Sequence, residues 1–245
     1  MKRGPAWVRS AIVDPETLEP LPAGHQGLLR HYDLANLFSV SAIQTEDHAV
    51  ARGNGFELLK RRAVLYGLAG CGAFFMGQFT LFTYVRPFLE SVTQVDVPTL
   101  SLLLLLVGVM GVLGTALIGS LLRFHLHGTL MVVPVLMAGV ALALIPLGAE
   151  LVPVALLLGL WGLMATANPV GWWSWVAQTM PDDAEAGGGL MVAVVQLAIA
   201  LGSTLGGELF DARGLASTFA ASAIVLLVGA WLTFEASRTR WRQAA

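Results

Sequence analysis

Six long apolar runs dominate the sequence from residue 63 onward. They cover roughly residues 63–87, 99–122, 129–148, 151–176, 188–209 and 214–234. Each run approaches the length of about 20 residues that an α-helix needs to cross a bilayer, and the connections between them are short. A soluble fold would have to pack six core helices that have almost no polar face. The pattern therefore predicts an all-α membrane protein with six transmembrane helices.

Composition supports the same class. Hydrophobic residues make up 56% of the chain and charged residues only 12%, with a mean hydropathy of +0.72, which is typical of integral membrane proteins. A net charge of −2 gives no support for nucleic acid as a partner. Cys71 is the one cysteine, so an intramolecular disulfide is excluded and a cysteine-based metal site lacks its ligands. We expect no cofactor and no metal.

The basic residues predict the orientation of the helices. One side of the predicted bundle collects seven of them, namely Lys60, Arg61, Arg62, Arg123, Arg238, Arg240 and Arg242. The other side has only Arg86 and Arg213. Because cytoplasmic flanks are enriched in Lys and Arg, both termini are expected in the cytoplasm, with the helices in a bacterial inner membrane. The N-terminal MKRGPAW is basic, but no apolar stretch follows it, so a signal peptide is not predicted.

Residues 1–62 differ from the rest and hold half of the charged side chains. Residues 7–13 are strand-like, Asp14 and Pro15 form a turn signal, and residues 27–31 are typical of a second strand. We expect a small, irregular α/β segment that is only marginally stable, since about 60 residues bury little surface. The domain boundary is therefore predicted between residues 62 and 63.

The stretch RSAIVDPETLEPLPAGHQGLLRHYDLANLFSVSAIQTEDHAVARGNGFELL resembles the end of an acyl-protein synthetase of the LuxE type, an adenylate-forming family. The resemblance covers about residues 7–59. It implies that Thr45, Glu46 and Asp47 belong to a nucleotide region in which the acid binds ribose hydroxyls. No Gly/Ser/Thr-rich phosphate loop precedes the stretch, and without a phosphate cradle ATP is not held. We therefore expect a cytoplasmic appendage and no enzyme.

Three later motifs carry a second resemblance: GQFTLFTYVRPFLE, WGLMATANPVGWWSWVAQTMPDDAEAGGGLMVAVVQLAIALGSTLGG and LFDARGL. They resemble the C-terminal half of a major facilitator transporter of the drug–proton antiporter group, similar to purine ribonucleoside and arabinose or sugar efflux pumps. The resemblance covers about residues 65–234. It implies helices seven to twelve of a twelve-helix protein, arranged in two inverted three-helix repeats, that export a small solute by alternating access.

Glycines recur along the second and fifth runs. Small residues allow helices to approach closely in a bilayer, so packing is the expected role of Gly108, Gly111, Gly114 and Gly119. The same role, or movement of helices during transport, is expected of Gly202, Gly206 and Gly207. These last three lie in GSTLGG, which resembles the repeat counterpart of the antiporter signature with Ser203 where proline is usual. The segment from Gly119 to Arg123 lacks the Asp that the resemblance would place there.

Two amides lie near the middle of predicted helices, Gln78 in the first and Gln196 in the fifth. An amide in hydrocarbon needs partners, so each should face the bundle interior or a wet cavity. An interhelical hydrogen bond and a contact with substrate are equally open. Phe82 and Arg86 follow Gln78 at helical spacing, which predicts one continuous face. For Arg86, near a helix end, we favour a structural or gating salt bridge with Glu90 over substrate binding.

The fourth run contains a second set of candidates. Asn168 and Pro169 are expected to break or kink this helix, and Trp172, Trp173 and Trp175 follow. An interfacial belt is the favoured interpretation of these aromatics. The alternative is a pocket in which Trp161, Asn168 and Trp172 stack on and hydrogen-bond a flat heterocycle.

Titratable groups are scarce in the predicted helices. Between Glu90 and Glu208 no Asp, Glu or His falls inside an apolar run, yet proton coupling needs such a group. The resemblance places it in the first six helices. We therefore expect a partner half, either a second copy or a complementing six-helix unit, through which protons would be coupled. The other expected partners are the lipid bilayer and a nucleoside-like or drug-like solute. The alternatives are a membrane-anchored remnant of a synthetase and a fusion product without evolved activity.

Overall fold

The structure is a computed structural model that describes residues 8–14, 17, 19, 26–33, 42–50, 62–180 and 184–244. The chain divides into two compact units, Met1–Lys60 and Arg61–Ala245. The boundary between them lies two residues before the one expected from the sequence.

The described part of the N-terminal unit is a three-stranded antiparallel sheet in the order β1-β2-β3. Its strands are β1 (Val8–Val13), β2 (Gln26–Asp33) and β3 (Ala42–Val50). The two strands predicted from the sequence are confirmed. β3, which carries Thr45, Glu46 and Asp47, was not predicted as a strand. The synthetase resemblance stays a prediction.

A hydrogen-bonded turn follows β1, as predicted. The Asp14 carboxylate accepts from the Thr17 N–H at 2.9 Å, and the Asp14 N–H donates to the Glu19 carbonyl at 2.9 Å. An Asp side chain that accepts from a nearby backbone N–H in this way mimics a backbone turn. Pro15 and the predicted turn at residues 53–55 lie outside the described residues.

The C-terminal unit is helical. Its elements are α1 (Arg62–Phe82), α2 (Val85–Ser91), α3 (Val97–Leu147), α4 (Leu151–Thr179), α5 (Ala184–Arg213) and α6 (Leu215–Ala244).

Six segments of these helices are long and apolar enough to cross a membrane, which confirms the predicted fold class. We number them spans 1 to 6 in chain order: Arg62–Ser91, Val97–Gly119, His125–Leu147, Leu151–Thr179, Gly187–Arg213 and Leu215–Arg238. The chain thus has the helices of an integral membrane protein. Large apolar side chains such as Leu102, Val112 and Leu156 are exposed on the outside of the bundle, as expected where helices face lipid.

Spans 2 and 3 both belong to α3. The backbone leaves the helical region at His125, where φ is −139° and ψ is 44°. Leu122 and Leu130, on either side of His125, both pack where a side chain at Gly171 of α4 would stand. The connection predicted around His125 is therefore a single sharp bend.

The packing partners repeat within the bundle. Span 1 packs on spans 5 and 6, and span 4 packs on spans 2 and 3. If span 1 is replaced by span 4, span 5 by span 2 and span 6 by span 3, the first set of contacts becomes the second. Because successive spans cross in alternate directions, spans 1 and 4 run oppositely, which is the arrangement of two inverted three-helix repeats.

Capping residues and glycine determine where these helices begin and end. The Asp96 carboxylate accepts from the Thr99 N–H at 3.2 Å and caps α3, with Pro98 in the first turn, where proline lacks only an N–H that would be unpaired anyway. Gly214, with φ at +78°, separates α5 from α6. That left-handed conformation suits glycine because it has no Cβ.

Candidate functional site

The first span bends before its end. α1 stops at Phe82, residues 83–84 form a turn, and α2 begins at Val85. Pro87 lies four residues after Thr83, so it cannot donate to the Thr83 carbonyl and its ring would clash with that group in a continuous helix. The predicted continuous face of Gln78, Phe82 and Arg86 is therefore wrong. Gln78 is buried, whereas Phe82 and Arg86 are exposed.

Arg86 pairs with Glu90 one turn further along α2. The Arg86 Nε donates to Glu90 Oε1 at 2.8 Å, and 70% of the Arg86 side chain is exposed. An ion pair this exposed contributes roughly 0–1 kcal/mol of stability. The gating or structural role of Arg86 stays a prediction.

Spans 1 and 5 approach closely where three glycines were expected to matter. A Cβ at Gly206 would lie 2.6 Å from both the Thr80 carbonyl and the Tyr84 ring, and one at Gly207 would lie 2.6 Å from the Tyr84 hydroxyl. A Cβ at Gly202 would overlap the Met76 carbonyl. A side chain at Gly202 or Gly206 would meet backbone carbonyls, whereas one at Gly207 would meet only the end of the Tyr84 side chain.

Hydroxyl groups form hydrogen bonds across the same contact between spans 1 and 5. These hydrogen bonds were not predicted from the sequence. Tyr84 donates to the Ser203 carbonyl at 2.9 Å, and the Thr83 and Ser203 hydroxyls are 3.0 Å apart. The Tyr84 ring also stacks on Phe210 at 5.6 Å. The one signal in the sequence was Ser203 in place of the usual proline.

The two predicted amides lie in different surroundings. Gln78 is 8% exposed in the bundle interior, whereas Gln196 is exposed on α5. Ala193, Leu197, Ala200, Thr204 and Glu208 are also exposed and lie on the same side of α5. Gln196 therefore does not join Gln78 inside the bundle.

α4 continues through Pro169 from Leu151 to Thr179, so the expected break at Asn168 and Pro169 is wrong, whereas the kink at Pro169 stays a prediction. Trp172 and Trp175 are buried and meet edge to face at 5.8 Å, while Trp173 is half exposed. A lipid-facing belt requires exposed rings, so that interpretation fits Trp173 alone. Trp172 and Trp175 belong to the interior.

Several buried polar atoms have no hydrogen-bond partner among the described residues. They are Gln78 Oε1, Trp161 Nε1, both amide atoms of Asn168, Trp172 Nε1 and Thr179 Oγ1. Four of these five residues were predicted from the sequence to bind substrate. An unpaired buried polar group costs about 1–3 kcal/mol, so this concentration in one small bundle calls for a functional reason. Thr179 was not predicted.

Four of the five lie on one face of α4. Trp161, Asn168, Trp172 and Thr179 are spaced seven, four and seven residues apart, which is close to whole turns of an α-helix. We call this face the α4 polar face. The sequence spacing alone could have revealed it, and Thr179 with it.

Fold and site together define a polytopic α-helical bundle whose largely apolar interior holds a few buried polar side chains. No family model matches the chain. It is 56% identical over 185 residues to the transcription regulatory protein OpdE of Pseudomonas aeruginosa, which covers 76% of this chain and 46% of that protein. It is 37% identical over 177 residues to the purine ribonucleoside efflux pump NepI of Salmonella enteritidis and of Salmonella typhimurium, covering 72% of this chain and 45% of each relative.

The chain thus spans about half the length of the curated relatives it matches. Since the N-terminal unit has only 60 residues, at least about two thirds of each match lies in the helical unit. The similarity therefore concerns mainly the six spans.

Proposed function

We propose that the helical unit is half of an efflux transporter of the major facilitator type, which exports a small nucleoside-like or drug-like solute by alternating access. The observation that carries this proposal is the 37% identity to purine ribonucleoside efflux pumps over a length that must include most of the spans. The inverted three-helix repeats support it, because transporters of this kind are built from such repeats. Nothing in this proposal makes the chain an enzyme.

The buried polar residues support the transport role. Side chains that could hydrogen-bond a solute are rare and costly inside a membrane bundle, and in transporters they mark the substrate path. Gln78, Trp161, Asn168 and Trp172 meet this description. Phe82 and Gln196 are exposed, and we propose that they contact the solute at the surface of this six-helix half.

A second six-helix half completes the proposed transporter, in the form of a second copy or of a complementing unit. Spans 2 and 5 are the least buried of the six. The exposed side of span 5 holds Gln196, Thr204 and Glu208 together with Leu197 and Leu201, and lipid would solvate the three polar side chains poorly. A partner half would cover this face and could supply the titratable group for proton coupling. Both termini are proposed to lie in the cytoplasm of a bacterial cell.

The name of the 56% identical relative suggests transcription regulation as a second candidate. Direct regulation through DNA would need a cluster of Lys and Arg to neutralise phosphates. The chain has 14 basic and 16 acidic residues, and most of its length is apolar. Transport is therefore the function that we propose.

Export from cells tests this function. Cells that overproduce the chain are loaded with a tritiated, non-metabolised purine ribonucleoside analogue, and its release is compared with release from cells that carry an empty vector. Transport predicts faster release that a protonophore abolishes if protons are coupled. Equal release at verified expression in the membrane contradicts the proposed substrate class.

A further inference from the structure

One side of α6 is exposed along most of its apolar length. It begins at Ile224 and continues through Leu227, Trp231 and Phe234, which are three or four residues apart and are all exposed. That spacing places them on one side of an α-helix. Arg238 follows Phe234 by four residues and is also exposed, so this side changes there from apolar to basic. We call it the α6 outer stripe.

The other side of α6 packs on α1. A Cβ at Gly70 would lie 2.7 Å from the Thr233 hydroxyl, and one at Gly77 would lie 2.8 Å from the Leu226 side chain. Thr233 and Leu226 lie on the side of α6 away from Trp231. Because span 6 is a membrane helix, the exposed apolar side opposite α1 is the side that faces lipid.

The same two contacts fix the level of the basic residues. They are seven residues apart on each helix and follow opposite chain directions, so α1 and α6 pack antiparallel in one register. This register places Arg62, which is exposed near the start of α1, level with residue 241 of α6. The first charged residue of span 1 and the basic end of α6 therefore lie at the same level of the membrane.

α6 continues beyond its apolar span. Span 6 ends at Arg238, whereas α6 ends at Ala244. Arg242 comes eleven residues after Trp231, which is about three helical turns, so it extends the α6 outer stripe. Arg240 lies on the opposite side of the helix, which packs on α1. The lipid-facing side of α6 thus ends with two arginines one turn apart.

The Arg238 guanidinium lies where the stripe changes from apolar to basic. Its Cζ is 5.7 Å from the centre of the Phe234 ring, and its Nη1 donates to Glu235 Oε1 at 3.3 Å. Both members of this ion pair are partly exposed, and such pairs are weak. Glu235 is the only acid in α6, and residues 236–244 hold three arginines. A positive charge therefore remains at the end of α6.

The net charge of this end of the bundle does not by itself indicate a partner, because the connection between spans 4 and 5 carries acids at positions 182, 183 and 185. The arrangement along α6 does. An apolar side that lies among acyl chains continues directly into arginines at the level of the lipid headgroups. A phospholipid has the same order of parts, and its phosphate is the anion that the arginines lack.

We propose that the α6 outer stripe binds an anionic phospholipid. One acyl chain lies along Trp231 and Phe234, and the headgroup phosphate pairs with Arg238 and Arg242. Arginine suits this role because its planar guanidinium presents two N–H groups to two phosphate oxygens. The proposal goes beyond transport, since it needs only that span 6 crosses a membrane.

Native mass spectrometry tests the lipid. The purified full chain in detergent is titrated with phosphatidylglycerol or with phosphatidylcholine of the same acyl chains, and bound lipids are counted. Each arginine near an anionic headgroup contributes a factor of about five in affinity, and Glu235 offsets part of this. The first phosphatidylglycerol should therefore bind about tenfold more tightly than phosphatidylcholine. Equal affinities overturn the proposal.

Two double variants locate the lipid. Arg238→Gln with Arg242→Gln removes the charges of the α6 outer stripe and should bring the two lipid affinities to within about twofold. Arg62→Gln with Arg240→Gln removes two charges at the same level but off the stripe, and should keep the preference. An equal loss in both variants would show that only the net charge matters, which overturns the site. A preference that survives in the first variant overturns it as well.

Glycerol phosphate separates a lipid site from a site for free phosphate. It carries the anionic group of the lipid but has no acyl chain to lie along the apolar part of the stripe. Glycerol phosphate in large molar excess should therefore leave bound phosphatidylglycerol in place. Displacement would show that the arginines bind phosphate without the stripe, and the lipid site would be rejected.

Tryptophan fluorescence gives a readout that does not depend on the arginine variants. Trp231 lies seven residues, or ~10 Å, before Arg238, a depth that bromine placed midway along an acyl chain reaches. In proteoliposomes, brominated phosphatidylglycerol should quench the fluorescence more than brominated phosphatidylcholine at the same fraction. The excess should disappear in Trp231→Phe and remain in Trp173→Phe, which changes an exposed ring of α4. Absence of an excess, or an excess that Trp231→Phe leaves unchanged, overturns the proposal.

Discussion

Individual residues decide whether the interior of this bundle offers polar groups that could bind a solute. Asn168 is fully buried with both amide atoms unpaired, whereas Gln196 in a similar apolar run is exposed on α5. Both amides lie in long apolar runs, so the composition of the run does not show which amide is buried. What separates them is the direction of the helix face relative to its neighbours, which depends on the packing of the whole bundle.

Asp96 provides a prediction at this scale. Its hydrogen bonds with Thr99 hold the pKa of the carboxyl below its usual range. Folding therefore favours the carboxylate, so the stabilisation is present above the ordinary pKa of about 3.9 and is lost as the pH falls through the lower folded pKa.

We expect Asp96→Ala to lower the Tm near neutral pH, and the gap to the unsubstituted protein to shrink as the pH falls below about 4. Scanning calorimetry between pH 3 and pH 8 measures this gap. Asp96→Asn, which keeps the acceptor but cannot ionise, should show a smaller gap that also shrinks in acid, because only the unsubstituted protein titrates at this position. A gap for Asp96→Ala that widens in acid contradicts the assigned cap.

At the scale of helices, apolar run length was enough to predict all six spans but not their bends. Pro87 interrupts span 1 four residues after Thr83, although the run appears continuous in the sequence. Pro169 leaves α4 continuous. The same residue type thus has opposite outcomes because neighbouring helices decide whether the freed carbonyl and the bend are tolerated. Periodicity within one helix carries no information about those neighbours.

The glycines in span 2 also show that the sequence of one helix does not reveal its neighbours, and they give the second prediction. All four were expected to pack, but a Cβ at Gly108 or Gly119 would meet nothing within 4 Å. A Cβ at Gly114 would instead lie 2.8 Å from the Leu163 carbonyl carbon. Because the Leu163 atoms in that contact belong to the backbone, little can move aside.

Gly114→Ala should therefore destabilise the bundle by about 1–3 kcal/mol, the usual range for overpacking. Gly108→Ala, in the same helix and open on its side, should be neutral or slightly stabilising because alanine favours helix over glycine. Thermal unfolding of both variants in one detergent makes the comparison. Equal effects would show that spans 2 and 4 do not meet at Gly114.

At the scale of the whole molecule, the sequence predicted the class, the six spans and a small strand-containing N-terminal unit. It did not predict β3, because the residues before it have a mixed pattern. It named four of the five buried unpaired side chains, since amides and indoles in apolar runs stand out. It could not show that Trp172 and Trp175 point inward, because an interfacial belt and a packed interior have the same composition.

The proposed partner half gives the third prediction. Ala200 is exposed on the side of α5 that carries Gln196, and Leu156 is exposed on α4. In a background where the buried Cys71 is replaced by Ala, Ala200→Cys should crosslink two copies in liposomes with a short bis-maleimide if a second copy covers α5. Leu156→Cys, which faces lipid, is the control and should not crosslink. Crosslinking at Leu156 alone would place the contact on another face.

Counterflow by the purified full chain in proteoliposomes tests the transport proposal most directly. Vesicles are loaded with unlabelled adenosine, diluted into tritiated adenosine, and the label that accumulates inside is followed over time. A transporter predicts a transient accumulation above equilibrium in loaded vesicles, reduced in Asn168→Leu and kept in Trp173→Phe. Label that never exceeds equilibrium, with correctly folded protein in the bilayer and with a crosslinked partner present, would contradict transport of purine ribonucleosides by this bundle.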